Sequence, residues 1–364
     1  MQNSFYFIAG EKSGDMHGMD LIEAMKAQNC SASYYGIGGP EMQKAGLIPF
    51  LPFEDFQVMG FSDIIRSLPL LTQHFYTVAK EILKNKPKGV IFIDYPGFNL
   101  RLAQHLRKKG YKGRLIHYIA PSIWAWGKKR IPLMASTLDL LLTVFPFELK
   151  YFLHTNLKTV YVGNPLMKNG FKPQTPKHPL LALFPGSRLK EIERNLPLQI
   201  QTALLFLKKH PHFNVAISVS DPKFNSKILS LAQGTSFQLV NESLRYELMQ
   251  KASIALAKSG TTTLELALSG CPTVVMYELT RLNYILARYL FKISLPYYAL
   301  PNILLNEPIF PEHYKIHISP QELAMDLSKI MEKRAFVHAK AKTLNALLTT
   351  QNASVNAAKE ILSL

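Results

Sequence analysis

The chain has 364 residues, 48% hydrophobic and 18% charged, which excludes a disordered or fibrous chain and leaves room for two ordinary cores. Its net charge of +17 points to anionic partners, whether phosphorylated substrates, a membrane surface or a nucleic acid. Two cysteines, Cys30 and Cys271, are too few for a disulfide framework or a cysteine-held metal, and no apolar run approaches the ~20 residues that span a bilayer.

The N-terminus enters an apolar strand directly, without the basic segment and small-residue cleavage site of a secretory leader, so a soluble cytoplasmic protein is expected. Strands are predicted at 5–9, 88–93, 114–119, 138–144 and 159–162, with helices over 16–28, 62–84, 99–109 and 147–153. The proline-rich stretch 164–179 reads as a linker. The alternation then restarts, with strands at 180–184, 213–219, 236–240, 253–257 and 273–277 and helices over 189–209, 222–233, 243–251 and 261–269. The tail, 320–364, is helical only. This pattern predicts α/β architecture: two doubly wound, Rossmann-like domains with a cleft between them.

In such folds ligands bind beyond the carboxyl ends of the strands, so the turns there carry the candidate chemistry. After the first strand comes Gly10-Glu11-Lys12-Ser13-Gly14-Asp15. Glu11 and Asp15 make it a better host for hydroxyls than for phosphate, unless Asp15 simply caps the following helix. Asp94, in Ile93-Asp94-Tyr95-Pro96-Gly97-Phe98-Asn99, ends another strand, where partial burial is expected to raise its pKa toward useful basicity. Both tryptophans fall in Pro121-Ser122-Ile123-Trp124-Ala125-Trp126, to stack on a sugar, pack an acyl chain, or fill the core.

In the second half, Pro185-Gly186-Ser187-Arg188 puts a fork-shaped cation at a helix start, suited to a diphosphate. Lys258-Ser259-Gly260-Thr261-Thr262-Thr263-Leu264-Glu265 offers hydroxyls and free helix N–H groups, with Glu265 one turn in for ribose hydroxyls. Neither Asp-x-Asp nor a His or Cys cluster is seen, so neither a metal nor another cofactor is expected. Residues 58–71 are unusually apolar. They make either a packing helix or an amphipathic helix dipping into a membrane interface through Met59, Phe61, Ile65 and Leu68.

Taken in order, these motifs resemble the lipid-A-disaccharide synthase family, with further matching pieces at Gly38-Gly39-Pro40, His117-Tyr118, Phe145-Pro146-Phe147-Glu148 and Leu300-Pro301-Asn302. The resemblance implies an inverting glycosyltransferase of the type with two facing Rossmann-like domains (GT-B), peripheral to the cytoplasmic face of the inner membrane. Its substrates would be UDP-2,3-diacylglucosamine and 2,3-diacylglucosamine 1-phosphate, and its product a β-1,6-linked disaccharide phosphate. Residues 1–165 would form the acceptor and lipid domain, 166–344 the UDP-sugar domain, with a helix at about 345–364 packing back on the first. Asp94 would be the general base, with Glu11 and Asp15 as runners-up. Arg188 would hold the leaving diphosphate, and Ser13, Gly14, Trp124, Ser187, Ser259, Gly260, Thr261, Glu265 and Asn302 would contact substrates. Three positions depart from the family pattern: Asn164 for the usual His, Lys12 inside the first turn, and acidic Glu307 where a basic residue is common.

Two other functions compete. A muramyl-lipid transferase or UDP-N-acetylglucosamine epimerase shares the architecture, but an epimerase has no use for the apolar 58–71 stretch or the tryptophan loop. A nucleic-acid-binding protein fits the charge alone, with no recognisable module and no basic stripe with interleaved aromatics, so no nucleic-acid partner is expected. Oligomeric state is left open.

Overall fold

Strands with apolar residues on both faces must be covered on both sides, and this dictates the layering of a parallel sheet. In a computed structural model, residues 2–57, 61–176, 178–280, 295–349 and 352–364 are described, with backbone alone for 2, 61–67, 125 and 126. The chain divides into two units, Met1–Lys168 with Leu348–Leu364, and Asn169–Leu347.

The first unit contains β1 (Gln2–Ala9), α1 (Lys12–Ala27), β2 (Ser33–Ile37), α2 (Pro40–Lys44), β3 (Ile48–Pro49), α3 (Phe61–Asn85), β4 (Pro87–Ile93), α4 (Pro96–Lys108), β5 (Arg114–Tyr118), α5 (Ile131–Thr137), β6 (Leu140–Thr143) and β7 (Lys158–Tyr161). Its seven strands run parallel in the order β3-β2-β1-β4-β5-β6-β7. One face of the sheet presents Tyr6, Ile8, Val90 and Phe92 to Val78 and Ile82 of α3 and Leu102 and Leu106 of α4. The other presents Phe5, Phe7, Ile91 and Ile93 to Leu21, Ile22 and Met25 of α1.

The second unit contains β8 (Leu180–Phe184), α6 (Leu189–Lys209), β9 (Asn214–Val219), α7 (Asn225–Leu231), β10 (Gln238–Asn241), α8 (Arg245–Lys251), β11 (Ile254–Lys258), α9 (Thr261–Leu268), β12 (Thr273–Glu278), α10 (Leu300–Leu305), β13 (Glu312–Lys315), α11 (Pro320–Glu332) and α12 (Arg334–Leu348). Its six strands are also parallel, ordered β10-β9-β8-β11-β12-β13. The chain ends in α13 (Ala353–Leu362), which belongs to the first unit: Ala357, Ala358 and Ile361 are buried beside α1. Full burial of a side chain such as Ile361 contributes roughly 1.5–3 kcal/mol. An ion pair from Lys158 to Glu360 at 2.7 Å and a 3.0 Å bond from Gln28 Nε2 to the Val355 carbonyl fix its position.

Among the elements that differ from the sequence expectation, three show why. The helix expected over 147–153 is a 3₁₀ turn, Pro146–Tyr151, because the Glu148 side chain folds back to accept the Phe145 N–H at 3.1 Å and caps it. β3 is only two exposed residues long, too short for a period. β13 reads Glu-His-Tyr-Lys and becomes a strand only because β12 offers it a ladder.

Each sheet reverses its order at one place. In the first, β2 and β4 flank β1, with Ala9 opposite Ile93. In the second, β9 and β11 flank β8, with Phe184 opposite Ala257. Adjacent turns diverge at such a switch point and leave a crevice beyond the strand ends. The Gly10–Asp15 turn and Asp94 meet at the first, and the Pro185–Arg188 and Lys258–Thr261 turns at the second.

Candidate functional site

Asp94 directly follows β4 and holds a left-handed backbone, φ 47°, as does Tyr95, φ 48°. Such conformations cost free energy in non-glycine residues and persist where the surroundings enforce them. Here the Asp94 N–H donates to the Tyr118 carbonyl at 3.1 Å, and the buried Asn99 amide donates to the Asp94 carbonyl at 2.7 Å. The half-buried carboxyl has its pKa raised to about 6, chiefly by burial and then by the Glu11 carboxylate nearby. Glu11 itself is exposed at the start of α1, as is Ser13, while Gly14 packs inward, so that a Cβ there would meet the Ala9 side chain at 3.3 Å.

Asp15 is placed differently. It is buried, and its two carboxylate oxygens accept the backbone N–H groups of Glu41 and Met42 at 3.1 and 3.0 Å. It therefore caps α2 and ties it to α1; the cap left open for this residue is on the helix directly following its turn, and Asp15 instead lies within that helix.

The tryptophan loop forms a single, wide π-helical turn, Ile123–Gly127. Trp124 is partly buried, edge-on to Phe147 at 5.7 Å, and Phe147 stacks on Phe145 at 5.8 Å. Hydrophobic patterning assigns no role to two buried titratable residues of the neighbouring motifs. Glu148 is buried with its pKa raised to about 8 by that burial, and His117 is fully buried, with a pKa lowered to about 4 by burial and neither ring nitrogen hydrogen-bonded. His117 stands on β5 opposite Phe92 of β4, two residues before Asp94. Asn164 closes the next turn, its amide donating to the Val144 carbonyl at 3.2 Å and accepting the Leu166 N–H at 3.0 Å.

In the second unit, Arg188 caps the start of α6 with its side chain 54% exposed and 4.0 Å from Glu191. The Pro185–Arg188 turn is held from below: Asn195 donates to the Pro185 carbonyl at 3.0 Å, Gln199 to the Phe184 carbonyl at 3.1 Å, and Glu191 accepts the Ser187 N–H at 3.2 Å. Gly186 has φ 123°, and a Cβ there would lie 2.6 Å from the Glu191 carboxylate, so only glycine fits. Across the switch point, Gly260 precedes α9, and among the described residues no side chain caps the helix; the Thr263 N–H bonds the Gly260 carbonyl at 3.1 Å, which leaves the N–H groups of Thr262 and the exposed Thr261 open. The Ser259 hydroxyl accepts a short hydrogen bond from Tyr314.

Glu265 is 2% exposed and already engaged. Arg245 makes a two-pronged ion pair with it, bonds Thr262 at 2.9 Å, and Tyr246 donates to it at 3.3 Å. Arg245 and Tyr246 sit in a helix whose sequence carries no motif, so their role is visible only in the fold. Asn302 is fully buried and also saturated: it donates to the Phe310 carbonyl and Glu312 at 2.8 Å each and accepts the N–H groups of Ile309 and Phe310 at 2.9 and 3.0 Å. Glu307 pairs with Lys340.

Of the apolar contacts expected over 58–71, Met59 and the side chains of Phe61 and Ile65 lie outside the described residues. Leu68 is 48% exposed and Leu70 39%. Among the described residues, no helix is long and apolar enough to cross a membrane, and no group of three or more His, Cys, Asp or Glu could hold a metal ion.

Comparison with known proteins fits this geometry. Residues 5–364 match the family model described as lipid-A-disaccharide synthetase. A "lipid-A-disaccharide synthase" of Chlamydia pneumoniae is 42% identical over 337 residues, 88% of this chain and 56% of the relative. This chain thus spans little more than half of that relative's length. One of the same name from Blochmanniella pennsylvanica is 32% identical over 341 residues, covering 89% of this chain and 86% of the relative. Among solved structures, CalG4, the calicheamicin glycosyltransferase, superposes with a TM-score of 0.62 at 12% identity, over 100% of this chain and 98% of that one. The UDP-GlcNAc 2-epimerase of Neisseria meningitidis bound to UDP-GlcNAc gives 0.57 at 13% identity, over 99% and 98%. At such identities these two speak for the fold alone, that of glycosyltransferases and epimerases built from two parallel-sheet α/β domains. The family match runs through both switch-point turns to the last residue, and on it the chain belongs to the lipid-A-disaccharide synthetase family.

Proposed function

We propose that this protein is a lipid-A-disaccharide synthase. In this reading it transfers a 2,3-diacylglucosaminyl group from UDP-2,3-diacylglucosamine to the 6-hydroxyl of 2,3-diacylglucosamine 1-phosphate, inverting the anomeric carbon and releasing UDP. The observation that carries it is Asp94, a carboxyl at a switch point with its pKa raised to about 6. An inverting displacement needs one base to take the acceptor proton as the new C–O bond forms, and a base poised near neutrality performs this best. Glu11, exposed beside it, is the alternative base. Asp15, with both oxygens engaged, positions the turn instead.

As the bond from the anomeric carbon to UDP breaks, charge accumulates on the diphosphate. Arg188 and the open N–H groups at the start of α9 are suited to receive it, which makes the second unit the donor domain. Glu265, with Arg245 and Tyr246 on three of its acceptor positions, retains one for a ribose hydroxyl. Asn302 holds the turn at Ile309 and Phe310 that leads into β13, whose Tyr314 bonds Ser259. Both substrates carry acyl chains, so the enzyme works at the cytoplasmic face of an anionic membrane, held by its basic surface and by exposed apolar residues such as Leu68 and Leu70.

The test is product analysis. Purified protein with the UDP donor and the 1-phosphate acceptor should yield UDP and the disaccharide phosphate by mass spectrometry. A donor epimerised without acceptor consumption would replace this reading with the epimerase one.

A further inference from the structure

The second switch point holds a cation that the proposed chemistry has not used. Lys258 is the last residue of β11, the position whose side chain reaches the strand's carboxyl end. It is only 18% exposed, although lysines usually keep their ammonium in water. Its Nζ lies 3.0 Å from Glu191 Oε1 and 5.3 Å above the Tyr277 ring. It also lies 3.9 Å from where a side chain at Gly260 would begin, so it stands directly against the turn that opens α9.

Glu191 connects this lysine to the opposite turn. One of its oxygens holds Lys258, the other accepts the Ser187 N–H, and Arg188 stands 4.0 Å away. One carboxylate therefore serves two cations and an amide that all face the same crevice. Without that carboxylate, the two cations and the open helix N–H groups would repel one another. With it, their charge is balanced until an anion arrives.

We infer that Lys258 is a second cation of the diphosphate site, held on Glu191 in the free protein and shared with the phosphates when a nucleoside diphosphate binds. This rests on the donor-domain reading above. The ammonium has three donors, and Glu191 uses one, so a phosphate oxygen can be bonded without breaking the pair. Negative charge on the leaving diphosphate then draws the lysine further from Glu191, a contact that strengthens as the bond to the sugar breaks.

The two partners of this ion pair should consequently respond in opposite directions. Calorimetry would compare UDP, UMP and uridine on the intact protein. Lys258→Met should weaken UDP binding roughly ten- to a hundred-fold, weaken UMP less, and leave uridine unchanged. Lys258→Arg should stay near the parent. Glu191→Gln, which keeps an acceptor for Ser187 but removes the counter-charge, should tighten UDP several-fold. If the pair is only a strut between two turns, both variants weaken all three ligands alike and lower the melting temperature together, and the inference is overturned. A parent protein that binds uridine and UDP, with Lys258→Met unchanged in their ratio, overturns the inference while sparing the donor-domain reading. A parent that binds neither overturns both.

Discussion

Replacing Asp94 by Asn removes a charge that the fold holds under strain, so activity and stability should move in opposite directions. The ordinary carboxyl titrates at 3.8 and the folded one at about 6, because burial and Glu11 both disfavour the charged form. Below pH 3.8 the group is neutral in both states and costs nothing. As pH rises through 6 the folded state must ionise it, and the stability tied to the neutral form is lost. A shift of about two units corresponds to roughly 3 kcal/mol, reduced to about 1–3 kcal/mol by the side chain's partial exposure. Asn is a neutral isostere that also tolerates the left-handed backbone at φ 47°. Asp94→Asn should therefore match the parent near pH 4 and exceed it by about 1–3 kcal/mol at pH 8, while kcat falls ~10²–10⁴-fold. Both tryptophans, Trp124 and Trp126, lie in the first unit, so urea denaturation followed by fluorescence reports on the unit that contains Asp94. The parent's kcat/KM should rise with pH through an apparent pKa about 6. A variant less stable than the parent at pH 8, or an advantage that does not shrink toward pH 4, would refute the reasoning. Near-normal turnover would move the base to Glu11.

Arg188→Ala should lower kcat ~10²–10³-fold by removing a contact to the leaving diphosphate. Turnover should withstand EDTA, and loss restored by Mg²⁺ would show that a metal shares that charge. Asn302→Ala leaves the buried amides of Ile309 and Phe310 without their acceptor; it should cost about 3 kcal/mol in denaturation experiments, with UDP affinity in the folded protein little changed. Leu68→Ser with Leu70→Ser should abolish the salt-resistant part of binding to anionic vesicles and slow turnover on vesicle-borne acceptor, but spare a short-chain soluble analogue. Unchanged vesicle binding would place the contact elsewhere.

Much of this protein is readable in one dimension because parallel sheets covered on both faces demand continuous apolar strands, and those strands end at turns. Phe5–Ala9, Val90–Ile93 and Leu181–Phe184 announce themselves by hydrophobicity alone, and Gly10, Asp94, Arg188 and Ser259 by following such runs. Elements that exist through pairing or capping leave no such trace. β13 is a strand because β12 bonds it, and Pro146–Tyr151 is a 3₁₀ turn because Glu148 turns back on it. The roles of charged residues divide along the same line. Residue type and position name Asp15 and Glu265 as candidates, and the family resemblance names Asn302, but only the fold brings the Glu41 amide to Asp15, Arg245 to Glu265, the Ile309 amide to Asn302 and Lys258 to Glu191. Which strand ends adjoin is likewise a tertiary fact, since a switch point arises from the order of strands in space. Hydrophobic patterning is local and written residue by residue. The partner that settles whether Asp15 caps or Glu191 pairs arrives from 26 and 67 residues away.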